Sequence, residues 1–317
     1  MDKNPRNADN RIVFSVLSIP TIMLIIGYFI YPFPPSDMAR MLIQLPIFLG
    51  LILLGIGFLW REKRTGGKIK ILGWLVFAFF WATSPNYLYL SEGGDIVNAV
   101  LCILGVYLLV YIAYHEWLSL SRGETVSCLN WFAGATFLAG IIYFTIDSPV
   151  FPAIKNIMIE MVASQTSGLL NFLGLESFSS GPFVYYQGYP IMIIFSCTAV
   201  QSMVLFVGMI VPLNNAVLKR KIYGLLVTIP PIYFLNLIRT SSVIYLAGGG
   251  ITSVEVAHNI IGKTGSLIAL VVFAFIIFRI LPELYDEIVC IIDLPKRKGP
   301  VENFFINLLG KKKDENR

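Results

Sequence analysis

Apolar stretches of about twenty residues alternate with short polar connections along almost the whole chain. In order they cover 12–31, 41–60, 71–90, 96–117, 131–146, 191–213, 222–247 and 259–281. A bilayer core takes about 20 apolar residues per helix, and only a backbone that satisfies its own hydrogen bonds can cross lipid. The pattern therefore predicts an all-α polytopic membrane protein with about eight transmembrane helices. Pro32, Pro34 and Pro35 end the first span. Pro230 and Pro231 fall inside the seventh, where they predict a kink or freed carbonyls. No internal repeat or low-complexity segment is visible.

One long connection, 147–190, breaks the rhythm and is mostly uncharged. Within 152–174, Ile154, Ile157, Met158, Met161, Val162, Leu169, Leu170 and Phe172 recur at mixed helical spacing. That predicts an amphipathic helix lying on the outer leaflet or over a cavity. The stretch 178–190, punctuated by Gly181, Pro182 and Gly188, reads as a hairpin or ordered loop.

Charge orients this pattern. Charged residues are only 14% of the chain against 56% hydrophobic, far below the roughly 25% of soluble domains. The loop 61–70 holds five cations against one anion, and further basic clusters lie at 219–221, 296–298 and 311–313. The positive-inside rule makes these cytoplasmic, with both termini, and leaves the acidic loop at 91–95 and the segment 147–190 outside. The net charge of +5 thus reports topology, and no nucleic-acid partner is expected. A signal peptide is not expected, because the first apolar run is too long and lacks a small-residue cleavage site. The whole of 1–317 reads as a single integral membrane domain. It comprises a five-span region (1–146), the extracellular segment (147–190), a three-span region (191–281) and a cytoplasmic tail (282–317).

On that frame three reactive side chains fall at one depth. Cys197 lies ~9 Å of helix into the sixth span from outside. Arg239 lies ~25 Å beyond the cytoplasmic start of the seventh, in a core of ~30 Å. His258 stands at the outer mouth of the eighth. The chain has two histidines, and His115 is predicted on the cytoplasmic side, so His258 alone can partner Cys197. Of the arginines only Arg40 and Arg239 fall on the outer side, and Arg40 can reach solvent. An arginine inside a span costs at least ~2.5 kcal/mol unless compensated, which marks Arg239 as a functional candidate. A thiolate is a nucleophile, an imidazole can take and return its proton, and a guanidinium can hold a developing oxyanion or pair with a substrate carboxylate.

Blander readings compete with each. A cysteine in a membrane helix is usually a small apolar filler, and Cys102, Cys128 and Cys290 read that way. The four cysteines show no metal spacing, and no disulfide framework is suggested. Arg239 can snorkel, His258 can cap a helix, and Phe183, Tyr185, Tyr186 and Tyr189 can form an interfacial belt. Arg279 reads as a cytoplasmic anchor. Gly262-Lys263-Thr264 is not a phosphate loop, since the motif's first glycine falls on Ala257. A transporter with an anion site at Arg239 and a broken helix at Pro230-Pro231 is the main rival class. A non-catalytic scaffold is the other.

The segments Cys197-Thr198-Ala199-Val200-Gln201-Ser202, Asn236-Leu237-Ile238-Arg239 and His258-Asn259 resemble the exosortase/archaeosortase family. The motif-bearing region is 186–279; over the rest only the polytopic pattern is compatible. The resemblance implies a cysteine transpeptidase, a thiol protease in its first half-reaction, in the archaeal plasma membrane. Its active site is near the extracellular face. Its implied partners are surface proteins, including S-layer proteins, whose C-terminal signal is a short motif, a transmembrane helix and a basic tail. The cleaved chain passes through a thioester on Cys197 to an acceptor, a membrane lipid, with lipid-biosynthesis enzymes nearby. Carried over residue by residue, Cys197 is the nucleophile, Arg239 the stabiliser and His258 the acid/base. Tyr185, Tyr186, Gln187, Asn236 and Asn259 are the substrate-binding candidates. No metal or organic cofactor is implied.

Overall fold

The protein is described by a computed structural model over residues 5–60, 62–91, 94–254, 256–257 and 262–314. Its backbone divides into two compact units, Met1–Phe137 with Glu287–Arg317, and Leu138–Asp286.

The first unit is built from long apolar helices: α1 (Pro5–Ile30), α2 (Asp37–Leu42), α3 (Gln44–Leu59), α4 (Lys63–Ala82), α5 (Ser84–Leu90), α6 (Ile96–Arg122) and the start of α7 (Ser127–Asp147). The second half of α12 (Pro282–Ile292), a short 3-10 turn and α13 (Pro300–Asp314) return to it. Small residues let the helices approach closely. A Cβ on Gly57 of α3 would sit 2.5 Å from Lys70 Cγ of α4.

Several of the polar groups this unit buries are paired, while Trp74 Nε1 and His115 Nδ1 are buried with no hydrogen-bond partner among the described residues. Lys70 Nζ lies 2.9 Å from Glu116 Oε1 and donates to Asn130 Oδ1 at 3.3 Å. Glu302 of α13 accepts from Tyr111 at 2.6 Å, Tyr114 at 3.1 Å and the Gly299 amide at 2.7 Å, and His115 Nε2 lies 3.3 Å away. His115 is wholly buried in this cluster, which gives it a structural role. Cys128 and Cys290 are joined in a disulfide, which corrects their reading as apolar fillers. They are 162 residues apart, so no local spacing announces the pair. It arises because the first turn of α7 and the end of α12 pack in one unit.

Among the described residues six helices are long and apolar enough to cross a membrane: Asp9–Ile30, Asp37–Leu59, Lys63–Leu90, Ile96–Arg122, Ser127–Asp147 and Leu218–Gly248. They match the first five predicted spans and the seventh. The eighth corresponds to α11 (Lys263–Ile280), which bends by 113° into α12 at the break before Pro282.

The sixth span is where the second unit departs from an all-α reading. The segment 152–174 is helical as predicted, forming α8 (Pro152–Phe172). After it come three antiparallel strands, β1 (Ser177–Ser180), β2 (Phe183–Tyr186) and β3 (Tyr189–Met192), in the order β1-β2-β3. Register pairs Ser177 with Tyr186 and Phe183 with Met192. The hairpin was legible, but its third strand takes the residues read as the start of a helix. A 3-10 turn at Phe195–Cys197 follows, and only then α9 (Val200–Ile210). At 11 residues α9 is ~16 Å long, about half a bilayer core. Burial through 191–195 alternates, with Ile193 and Phe195 inside and Met192 and Ile194 exposed. This is the period of a strand. Because both faces are apolar, composition alone could not distinguish it from a helix.

The core of this unit gathers Ile159, Val162, Ala163 and Leu170 of α8, Val184 and Tyr186 of β2, Cys197, Val200 and Val204 around α9, and Ile244 of α10 (Leu218–Gly248). The helix α10 runs unbroken through Pro230-Pro231.

Candidate active site

Cys197 ends the 3-10 turn in a strand–turn–helix corner. Phe195 anchors that corner: Tyr143 packs 5.6 Å from its ring, and Lys155 Nζ, itself paired with Asp147 at 2.7 Å, lies 5.5 Å over it. The Cys197 amide donates to the Ile194 carbonyl at 2.8 Å, and Thr198 Oγ1 donates to the Phe195 carbonyl at 2.7 Å. Ala199 then takes φ +61°, in the left-handed region. An L-residue adopts it only under constraint, at a cost of roughly 1–2 kcal/mol. That single residue reverses the chain and starts α9, whose N-cap supplies no side-chain acceptor.

The opposite wall is one face of α10. Asn236, Arg239, Thr240, Val243 and Ile244 recur at the i, i+3, i+4, i+7, i+8 spacing of a single helical stripe. Asn236 Nδ2 donates to the Cys197 carbonyl at 2.7 Å, so this stripe is tied directly to the backbone of Cys197. One turn along, Cys197, Arg239, Thr240, Val243 and residues of β3 line a single cavity of about 410 Å³. The Arg239 guanidinium is held from behind: its Nη1 donates to Ser266 Oγ of α11 at 3.1 Å, and Ser266 donates to the Gly262 carbonyl at 2.9 Å. Among the described residues its Nε is buried without a hydrogen-bond partner, as is Thr240 Oγ1.

The structure thus brings together Cys197, Arg239 and Asn236. Asn236, read from sequence as a substrate contact, donates to the Cys197 carbonyl. His258 and Asn259 lie outside the described residues. The walls of the cavity do not include Tyr185, Tyr186 or Gln187. Tyr185 stacks on Phe178 at 4.5 Å, Tyr186 is buried against Gly248 and Tyr245, and Gln187 occupies the β2–β3 turn with φ +50°. Their placement gives them work in folding the sheet. Thr240 and Ser266 were missed. The first was recoverable, as the neighbour of Arg239 one turn from Asn236. The second was not, because nothing local tells which residue of α11 meets α10. Among the described residues no group of three His, Cys, Asp or Glu is placed to hold a metal ion.

Comparison with known proteins places these elements in a family. The model for the transmembrane exosortases matches residues 20–278. Archaeosortase A of Haloferax volcanii is 25% identical over 266 aligned positions, covering 72% of this chain and 85% of the relative. Archaeosortase A of Natronomonas pharaonis is 24% identical, covering 76% and 84%. No solved structure matches the chain significantly.

Proposed function

The chain belongs to the transmembrane exosortase family, and from that premise we propose that it is a membrane-embedded sorting transpeptidase working through Cys197. One observation carries this reading: a thiol and a guanidinium from separate elements line one cavity, with the backbone of the thiol residue tied to the guanidinium's helix. Surface proteins bearing a C-terminal motif, transmembrane helix and basic tail are the substrates. Such a helix runs parallel to the enzyme's own spans and delivers its scissile bond to the outer interface.

The Cys197 sulfur adds to the scissile carbonyl carbon, and the carbonyl π electrons move onto oxygen. Arg239 holds that oxyanion. Collapse breaks the C–N bond, and the departing amine leaves with the proton given up by the thiol, carried by His258. A nucleophilic acceptor, in this reading a membrane lipid, then attacks the thioester and restores the thiol. Water must be kept from the acyl-enzyme. The elements α8, β2 and β3, which share the core around Cys197, are suited to exclude it.

The test is intact-mass analysis of a candidate surface protein co-expressed with the native enzyme or with Cys197→Ala. Removal of the tail by the native enzyme alone supports the reading, and the mass left on the new C-terminus gives the acceptor. Equal processing by both enzymes makes the thiol a bystander. A Cys197→Ala protein that still transports an anion through the Arg239 cavity would point to the transporter class.

A further inference from the structure

We infer that the Thr240 hydroxyl is a second donor to the oxygen of the scissile carbonyl, acting beside Arg239 Nε. The inference rests on the transpeptidase reading above and goes beyond it by naming a residue that the family motifs Cys197, Arg239 and His258 leave out.

Helical serines and threonines in this unit ordinarily bond back to the carbonyl one turn earlier. Thr228 Oγ1 donates to Gly224 at 2.8 Å, Ser242 Oγ to Ile238 at 2.8 Å and Ser266 Oγ to Gly262 at 2.9 Å. Thr240 and Ser241 do not, and both hydroxyls are buried without a hydrogen-bond partner among the described residues. Of these two, Thr240 lines the cavity that Cys197 and Arg239 line. Leaving a buried hydroxyl unpaired costs about 1–3 kcal/mol, a cost that is removed when the oxyanion formed on addition completes the bond.

Placement selects that group. Asn236 grips the Cys197 carbonyl, and Thr240 is one turn further along the same stripe, ~6 Å of rise away. Arg239, which lines the same cavity, carries in its Nε another buried donor without a hydrogen-bond partner among the described residues. Two adjacent donors, unsatisfied in the resting protein and sharing a cavity with a nucleophile, are prepared for charge that appears only when the nucleophile adds. In the acylation step the S–C bond forms, the carbonyl electron pair moves to oxygen, and Thr240 O–H and Arg239 Nε–H donate to it. Breakage of the C–N bond then returns that pair to the carbonyl and releases the amine with the thiol's proton. Thr240 keeps its own proton throughout.

The experiment compares native enzyme, Thr240→Val, Thr240→Ser and Cys197→Ala, purified full-length in lipid vesicles, on a substrate that the native enzyme processes. Loss of one oxyanion donor lowers kcat about 100-fold or more. Thr240→Val is expected to show that loss with KM within about threefold, since a donor used only in the transition state does not change ground-state binding. Removing an unpartnered hydroxyl should leave Tm unchanged or raised. Alkylation of Cys197 by iodoacetamide, which forms no oxyanion, should proceed at the native rate. Thr240→Ser should recover most of kcat. The inference is overturned if Thr240→Val keeps kcat, if it raises KM alone, if it lowers Tm and alkylation together, or if Thr240→Ser is equally impaired. If Cys197→Ala still processes substrate, the transpeptidase reading itself falls, and the role of Thr240 with it.

Discussion

At the scale of single residues, Asn236 has the clearest separate task. It holds the carbonyl of Cys197, the proposed nucleophile, in a corner already turned by the left-handed Ala199. Asn236→Leu preserves volume and leaves the buried Cys197 carbonyl without a donor, at about 1–3 kcal/mol. Proper placement of reacting groups is worth large factors in rate, and a 1 Å shift can cost about 100-fold. The expected outcome is a kcat reduced at least about tenfold with little change in KM, read from single-turnover processing in vesicles. Asn236→Asp, which replaces the donor with a carboxylate, should fare no better. Arg239 and Ser266 form a comparable pair, with the serine fixing which way the guanidinium faces.

At the scale of elements, α13 is the instructive case. It is too short and polar to span a membrane, yet it is fastened to α6 by Glu302 through Tyr111, Tyr114 and His115. Gly299 permits the approach, since a Cβ there would come within 2.0 Å of the Tyr114 hydroxyl. Burial by itself would raise the Glu302 carboxyl. The His115 imidazole, the Tyr111 hydroxyl and its own backbone amide outweigh burial and hold it down at about 2, below the ordinary 4.5. A carboxylate with a lowered folded value contributes stability above its unfolded value and loses that contribution as pH falls toward its folded one. The Tm of detergent-solubilised protein should therefore drop between pH 4.5 and about 2. Glu302→Gln should cost about 1–3 kcal/mol at neutral pH, and its difference from the native protein should shrink across that same acid window.

At the scale of the whole molecule, charge and span parity make a joint prediction. The basic loop at 61–70 and the cluster at 219–221 are expected inside, and the sheet at 177–192 outside. The chain must then cross between 192 and 219 with an 11-residue helix preceded by a turn, which is shorter than an ordinary span. Single cysteines placed at Ser179 and at Lys219, with Cys102 and Cys197 replaced, should react with a membrane-impermeant maleimide from the outside and only after permeabilisation, respectively. Reaction of both from outside would mean that 193–217 re-enters on the side it left, and the active site would have to be assigned anew.

The sequence by itself determined what depends on length, composition and local order. Apolar runs near twenty residues settle a membrane-spanning helical protein, and the spacing within 152–174 settles α8. Arg239 stands out because a guanidinium is costly in an apolar run, and Cys197 only through its resemblance to the family motif. Tertiary structure decided the rest. An apolar run such as 191–195 satisfies a helix or a strand equally well, and pairing of β2 with β3 through Met192 selects the strand at its start. The Cys128–Cys290 pair, the Asn236 bond to Cys197 and the Ser266 bond to Arg239 each join residues distant in sequence. Which distant side chains meet is determined by how whole helices pack, and no local window of sequence contains that information.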